Sequence, residues 1–414
     1  MKKALLLTLA LTIIGVTFAQ TSTKVFESSK LNSKRTLKIH LPKNYDPSSN
    51  LKYPLVFVFD ADYLFEPVVG QTKFQSYFDE MPGSIVVGVV QGNERVYDSF
   101  FDEVTGLPFE SGARFYEFVG QELIPYLDSK YKTSDFRVAV GHNIMGNFIN
   151  SFMLKDKPLF HAYVNLSPDL KGSMGDNIVH RLSNARSEFF YYMATSTDDK
   201  RMLHETIMET NGKIKQIENT NVTYYFDEFK DESHYTLVTG AISRAFDKIF
   251  ELYKPLQEKE LKEKVLPYEG TLDNYLVDRY KKIEDRFGIV KPIAEEEFQK
   301  VVAVAEERED LESLEKLGKL ANKEYPESML GDYYLAQHAE KIGKPKKAVK
   351  FYEEALLLDA TTSITYEDVS LKLQEIKATL EERDIEDPDL EGEGAEILTE
   401  EPTEGVAVEG STED

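Results

Sequence analysis

The sequence contains no cysteine and no tryptophan, and its basic residues are far outnumbered by acidic ones. Without cysteine there is no disulfide framework, no thiolate metal site, no cysteine nucleophile and no lipid-bearing cysteine, so a lipoprotein is excluded. Lysine and arginine total 49 against 73 aspartates and glutamates, which gives a formal net charge of −24. This balance argues against nucleic acid and against anionic membrane surfaces as partners.

The N-terminal segment predicts export. Met1-Lys2-Lys3 precedes an apolar run from Ala4 to Val16, and Thr17-Phe18-Ala19 supplies small residues at a cleavage site. The run is shorter than the roughly 20 apolar residues that a membrane span needs. We therefore expect residues 1–19 to be a secretory signal peptide, which leaves an exported protein without a membrane span after cleavage.

Apolar runs that alternate with helical patterns predict the fold class of the next 235 or so residues. A half-buried antiparallel strand is expected where polar and apolar residues alternate from Thr21 to His40. Buried strands are expected at Tyr53 to Asp60, Ser84 to Val90, Arg137 to Val140, Phe160 to Leu166, Glu188 to Ala194 and Val222 to Phe226. The helical pattern is clearest from Ser111 to Tyr131. We predict an α/β fold with a doubly wound, mostly parallel sheet, whose site lies at the carboxyl ends of the strands.

Beyond Pro255 the pattern becomes helical without strands. Small and apolar residues from Leu335 to Ala355 follow the spacing of a tetratricopeptide repeat, and a weaker copy lies 34 residues earlier. An ordinary helical hairpin is the alternative. The predicted organisation is therefore an α/β domain at 20–255, a helical connector at 256–290, tetratricopeptide-like helices at 291–382 and an acidic disordered tail at 383–414.

The segment from Arg137 to Asn147 carries the pattern around which the predicted site is built. An apolar strand, a glycine-bearing turn and a helix form the setting of the nucleophile elbow, G-x-S-x-G. Gly141 matches this pattern, whereas Asn143 stands at the serine position and Met145 at the second glycine position. Methionine there is expected to push the helix away from the strand or to fill the pocket beneath it, and Gly146 offers partial compensation.

Residues from about 24 to 255 resemble the esterase D-like and enterochelin-esterase-like family of α/β-hydrolases. The resemblance rests on the order and spacing of several short stretches, namely Tyr53 to Asp60, Val86 to Val89, Arg114 to Phe118, Glu122 to Tyr126, Gly141-His142, Leu166-Ser167-Pro168 and Ser233-His234-Tyr235. It implies acyl-transfer chemistry without a cofactor or metal. A serine would attack an ester carbonyl while a histidine takes its proton and backbone N–H groups bind the oxyanion.

The resemblance also implies which residues would carry that chemistry. The base maps onto His234, and the acid that orients it maps onto Asp198 or Asp199. The backbone of Ile144, together with that of Ala61 or Asp62, would bind the oxyanion. Asn143 is not competent as a nucleophile, since an amide has no ionisable proton and its nitrogen lone pair is delocalised. Deamidation of Asn143 to aspartate would restore a nucleophile, but the β-branched Ile144 is expected to hinder it.

Two functions follow as hypotheses. The favoured one is an exported esterase-like protein that has lost hydrolase activity, acts as a binding scaffold and offers a tetratricopeptide-like surface to a protein partner, with a small ester ligand bound in the remaining pocket as a separate option. The alternative is a carboxylic-ester hydrolase, acting on acyl, acetyl-sugar or siderophore-type esters through His234 and a displaced nucleophile. Exported esterases with a tetratricopeptide tail, which the chain also resembles, suggest the periplasm or exterior of a Gram-negative-type bacterium.

Overall fold

The computed structural model describes residues 20–386, and in the last helix it describes side chains up to residue 382. The predicted signal peptide and most of the predicted acidic tail lie outside the described residues. The described chain divides into two compact units, the first formed by residues 20–263 and 275–293 and the second by residues 264–274 and 294–386. Between residues 20 and 386, no helix combines the length and the apolar character needed to cross a membrane.

An eight-stranded sheet forms the centre of the first unit. Its strands are β1 Thr21–Ser28, β2 Ser33–His40, β3 Tyr53–Val58, β4 Ile85–Val90, β5 Thr133–His142, β6 Ala162–Leu166, β7 Phe189–Asp198 and β8 Val222–Ser233. They are ordered β1-β2-β4-β3-β5-β6-β7-β8. Pairing is antiparallel between β1 and β2 and between β2 and β4, and it is parallel for the remaining strands. The predicted α/β fold with a mostly parallel sheet is confirmed.

The single strand expected from Thr21 to His40 is in fact a hairpin of two strands. β1 and β2 pair in antiparallel register from Thr21 opposite His40 to Ser28 opposite Ser33. Asn32 in the turn has a φ of 49°, a conformation that asparagine tolerates better than most residues. The alternation of polar and apolar residues continues through both strands, so periodicity alone did not reveal the turn.

Helices cover both faces of this sheet. They are α1 Phe65–Tyr77, α2 Glu110–Glu117, α3 Ile124–Lys130, α4 Ile144–Asn150, α5 Met174–Ser183, α6 Arg201–Ile214, α7 Leu237–Ile249 and α8 Leu272–Phe287. One face buries Phe115, Phe148 and Ile178 in an apolar cluster. The other buries Val68 and Phe246 in a second cluster. Parallel strands covered on both faces read as continuous apolar runs, which explains why they were visible in the sequence.

The second unit is helical. It contains α9 Glu295–Glu307, α10 Leu311–Glu324, α11 Leu330–Lys341, α12 Pro345–Ala355 and α13 Tyr366–Glu386. Close packing depends on small residues, because a Cβ atom added at Gly318 would lie 2.9 Å from Cγ of Leu335. The predicted connector at 256–290 is divided between the two units instead of standing alone. Its apolar side chains explain this, since Phe287 is fully buried and its ring centroid lies 5.0 Å from that of Phe136 on β5.

Candidate active site

Three predicted site residues meet at the carboxyl ends of β5, β7 and β8. Nδ2 of Asn143 lies 3.0 Å from Nε2 of His234, and Nδ1 of His234 lies 2.7 Å from Oδ1 of Asp199. Of the two aspartates that the sequence offered as the acid, Asp199 takes this place. Asp198 instead ends β7, where it pairs with Ser233 of β8. The arrangement is that of a hydrolase triad with asparagine at the nucleophile position.

The hydrogen bonds of Asn143 determine which ring nitrogen of His234 carries the proton. The Ile144 N–H can only donate, and it donates to Oδ1 of Asn143 at 2.7 Å, so the NH₂ group of the amide must face His234. Nε2 of His234 therefore accepts a hydrogen bond, and Nδ1 carries the proton that is donated to Asp199. This is the tautomer that a working triad requires of its base before attack.

Asp199 is held ionised by several donors. Thr195 donates to its Oδ2 at 2.9 Å, the Lys200 N–H donates to its Oδ1 at 2.8 Å, and the Ser167 hydroxyl forms a short hydrogen bond with Oδ2. Burial alone would raise the pKa of this carboxyl. The hydrogen bonds, led by those from His234 and Ser167, outweigh burial and lower the pKa to about 2.

Ser167 belongs to this site, although the sequence assigned it no role. Its Oγ lies 2.9 Å from Nδ1 of His234, and the residue is fully buried with a φ of 42°. The hydroxyl therefore faces the acid side of the imidazole, opposite Asn143, and it positions Asp199 instead of facing a substrate. Its place directly after β6, at the same sheet edge as the other site residues, was the available signal.

The turn that carries Asn143 keeps the elbow geometry. Asn143 has φ 56° and ψ −125°, and α4 begins at the next residue. A Cβ atom added at Gly141 would lie 2.5 Å from the carbonyl oxygen of Met145, and one added at Gly146 would lie 2.8 Å from Cβ of Pro168. Of the two expectations for Met145, its side chain does not push the helix away but is fully buried in the apolar cluster. Gly146 supplies the close approach that the second glycine of the pattern would have given.

Two of the three predicted oxyanion donors, the N–H groups of Ile144 and Ala61, are already engaged. The Ile144 N–H is bound by the side chain of Asn143. The Ala61 N–H donates to the carbonyl oxygen of Val89 at 3.2 Å, so it is directed into the sheet and away from a substrate. The carboxylate of Asp62 accepts a hydrogen bond from the Gln91 N–H at 2.9 Å and thereby fixes the neighbouring loop.

A second series of polar contacts runs from Arg95 to the backbone of His234. Arg95 binds both carboxylate oxygens of Asp60, at 2.6 and 3.0 Å, and the Tyr63 hydroxyl donates to Oδ2 of Asp60 at 3.0 Å. The same hydroxyl lies 2.9 Å from Nδ1 of His142, whose Nε2 lies 3.1 Å from the carbonyl oxygen of His234. His142 is therefore packed and hydrogen-bonded.

His142 is expected to make stability depend on pH. Burial, followed by repulsion from His234, lowers the pKa of His142 from 6.5 to about 4. The unfolded chain therefore binds a proton between these values that the native protein does not, so the free energy of unfolding should fall as pH decreases from about 6.5 to 4, by roughly 3 kcal/mol. Above pH 6.5 this contribution is fully present.

Urea denaturation at several pH values, for wild type and His142→Gln, measures this effect. The difference between the two proteins is the informative quantity, because Asp98, whose pKa burial raises to about 6, acts in the opposite sense over the same range. Removing the imidazole should take away the part of the pH dependence that His142 causes. Stability curves that run parallel for the two proteins would contradict the assignment.

No group of three or more metal-ligating side chains that could hold an ion occurs in the part of the chain that the structure describes. The strand order, the elbow after β5 and the acid and histidine after β7 and β8 define an α/β-hydrolase. A family model described as "Putative esterase" matches residues 28–236. The chain belongs to this esterase family.

Three relatives show how far the similarity extends. The ferri-bacillibactin esterase BesA of Bacillus subtilis (strain 168) is 21% identical over 55% of this chain and 89% of its own length. An uncharacterised protein from Capnocytophaga ochracea, of solved structure, is 30% identical with a TM-score of 0.77, over 87% of this chain and all of that one. An IroE-like serine hydrolase from Shewanella oneidensis is 19% identical with a TM-score of 0.54, over 73% of this chain and 99% of that one. The last similarity concerns the fold alone.

Proposed function

We propose that this protein is an exported, non-hydrolytic member of the esterase family that binds an ester ligand without turning it over. The observation that carries the proposal is the double hydrogen bond of the Asn143 amide, to Nε2 of His234 on one side and from the Ile144 N–H on the other. One side chain thus engages both the base and the backbone donor on which acyl transfer depends.

The alternative of a displaced nucleophile has little support in the geometry. The serine hydroxyl bonded to His234 is that of Ser167, which faces Nδ1 and is fully buried. The nitrogen that would act as the base is Nε2, and Asn143 binds it. A carbonyl carbon cannot approach Ser167 without disrupting the pair formed by His234 and Asp199. We therefore favour ligand binding over turnover.

Aromatic side chains beside the site suggest how an ester would be bound. Tyr63 is 44% exposed and Tyr235 is 68% exposed, so both offer ring surface to solvent. Their ring centroids lie 5.8 Å from the ring of His142 and 5.0 Å from that of His234, respectively. We propose that these rings flank an ester ligand, and the esterase named for ferri-bacillibactin makes siderophore-type esters the first class to examine.

The helical unit is proposed to bind a protein partner. Supporting observations are the successive helices α9 to α12 and the buried Ala336, Ala348 and Tyr352 at tetratricopeptide-like spacing. A photo-crosslinking residue at the exposed Lys347 should trap a partner in an envelope extract, whereas one at the exposed Lys52 of the first unit should not. Identical adducts from both positions would contradict a partner surface on this unit.

The proposed export has its own test. Detection of the chain in the cytoplasm alone would contradict export.

Ester turnover tests the central proposal. Wild type, His234→Ala and Asn143→Ala should all hydrolyse p-nitrophenyl acetate and butyrate at the same background rate, and a fluorophosphonate probe should label none of them. Wild-type turnover that disappears in His234→Ala would overturn the proposal.

Ligand binding is measured separately, as the thermal shift that p-nitrophenyl butyrate causes. Tyr235→Ala should reduce this shift, whereas replacing the similarly exposed Tyr77 on α1 should not.

A further inference from the structure

The backbone conformation of Asn143 brings an amide and a nucleophilic nitrogen together. Its ψ of −125° turns the nitrogen of Ile144 to the side of the residue that carries Cβ, so these two atoms are nearly eclipsed about the Cα–C bond. The Ile144 nitrogen also lies 2.7 Å from Oδ1 of Asn143. Since Oδ1 is bonded to Cγ, the nitrogen is close to the side-chain carbonyl carbon. A planar five-membered ring requires this eclipsed arrangement.

We infer that Asn143 is a site of intramolecular modification, at which the native fold favours cyclisation to a succinimide followed by hydrolysis to aspartate or isoaspartate. In the first step the Ile144 nitrogen forms a bond to Cγ of Asn143 and loses its proton. The bond from Cγ to Nδ2 breaks, and the nitrogen leaves with an added proton as ammonia. Water then opens the ring, so the net change is asparagine plus water to a carboxylate plus ammonium.

His234 is placed to assist the departure of ammonia. Its Nε2 lies 3.0 Å from Nδ2 of Asn143, so an imidazole that has taken up a proton at Nε2 can give it to the departing nitrogen, while the proton lost by the Ile144 nitrogen passes to water. Water can also reach the site, because Asn143 and Ile144 are both only partly buried. His234 thus keeps a proton-transfer geometry toward the side-chain amide of Asn143.

The conformation of the elbow offsets much of the hindrance to cyclisation that the β-branched Ile144 would otherwise cause. In a flexible chain, a β-branched residue after asparagine makes the eclipsed conformation rare. Here the fold holds that conformation permanently, because Gly141 and Gly146 allow strand and helix to close around the turn. Serine at this position would experience the same strain without consequence, since a hydroxyl group has no carbonyl carbon for the nitrogen to attack.

The chain contains its own control. Asn177-Ile178 repeats the dipeptide within α5, where Asn177 is partly buried to a similar degree and its N–H donates to the carbonyl oxygen of Ser173. Helical ψ values turn the following nitrogen away from the side chain, so cyclisation is blocked. The two sites have the same local chemistry and differ in backbone conformation.

Peptide mass spectrometry of the full-length protein tests the inference. After incubation of native protein at neutral pH, the peptide with Asn143 should show ammonia loss or conversion to a carboxyl group at least about tenfold more often than the peptide with Asn177, an effect worth roughly 1.4 kcal/mol of activation energy. In urea the two sites should react at equal rates. His234→Ala should slow the native reaction at Asn143 alone.

Either of two results would overturn the inference. One is native protein in which Asn143 remains an amide for as long as Asn177 does. The other is a preference for Asn143 that persists in urea, because it would then arise from local sequence and not from the elbow. The outcome does not depend on the proposed function, since modification is read from peptide mass while loss of hydrolysis is read from ester turnover in freshly prepared, unmodified protein.

Discussion

Asn143→Ser is expected to give the protein an ester hydrolase activity well above that of wild type. The remaining parts of a triad are in place, because Nδ1 of His234 lies 2.7 Å from Asp199 and the tautomer leaves Nε2 free to accept a proton. A serine Oγ on the same backbone would face that nitrogen. It would also release the Ile144 N–H, now bound by the amide oxygen, to stabilise an oxyanion.

The size of the gain follows from what a nucleophile contributes. Removing the serine of such a triad costs on the order of 10⁶ in kcat, and an imperfectly restored site should recover a substantial share of it. We expect turnover of p-nitrophenyl acetate to rise by about 10³-fold or more over Asn143→Ala, which corresponds to roughly 4 kcal/mol of barrier.

Two further variants separate a triad from general reactivity. Turnover by Asn143→Ser combined with His234→Ala should return to background. Asn143→Ser combined with Asp199→Ala should lose a smaller part of the gained turnover. A fluorophosphonate should label the single variant at residue 143. If Asn143→Ser stays silent while circular dichroism shows it folded, then the absence of hydrolysis has a cause other than the missing hydroxyl.

Gly141→Ala should be among the most destabilising single-methyl additions in the first unit. The new Cβ would lie 2.5 Å from the carbonyl oxygen and 2.8 Å from the carbonyl carbon of Met145, and 3.0 Å from the nitrogen of Gly146. All three are backbone atoms at the start of α4, so relief requires the strand and the helix to separate. We expect a loss of about 3 kcal/mol or more in the free energy of unfolding.

Gly212→Ala is the matched control, because it adds the same methyl group within a helix of the same unit. Nothing lies within 4 Å of the Cβ atom added at Gly212, near the end of α6. Alanine there should stabilise the protein by about 0.5–1 kcal/mol, since glycine costs more backbone entropy. Urea denaturation followed by tyrosine fluorescence measures both. Equal stabilities for the two variants would show that the elbow is less tightly packed than its geometry implies.

The sequence predicted the sheet well because its strands are covered on both faces and therefore read as apolar runs. The resemblance to the esterase family implied that His234 and an aspartate after β7 would meet Asn143, and the carboxyl ends of parallel strands bring them together because they share one edge. It could not choose between Asp198 and Asp199. That choice depends on β7 and β8 remaining paired as far as Asp198 and Ser233, which leaves the next residue free to turn inward.

The features that sequence reasoning missed depend on three-dimensional packing. Ser167 and Tyr63 are common polar residues, and only their positions beside Asp199 and His142 give them a role. The tight approach at Gly146 replaced the expected glycine at position 145, because the helix meets Pro168 one residue later than the pattern assumes. The division of residues 256–290 between the two units also depends on which apolar side chains are buried together, as for Phe287 and Phe136.

The main-chain ladder between β7 and β8 has a consequence for how this site could change over generations. The ladder ends beside Asp199 and His234, so the spacing of that pair is set by backbone pairing and not by the residue at position 143. No compensating change elsewhere is then needed when residue 143 alters. Asparagine and serine codons can differ by a single base, so one point mutation would separate the proposed binding protein from an enzyme.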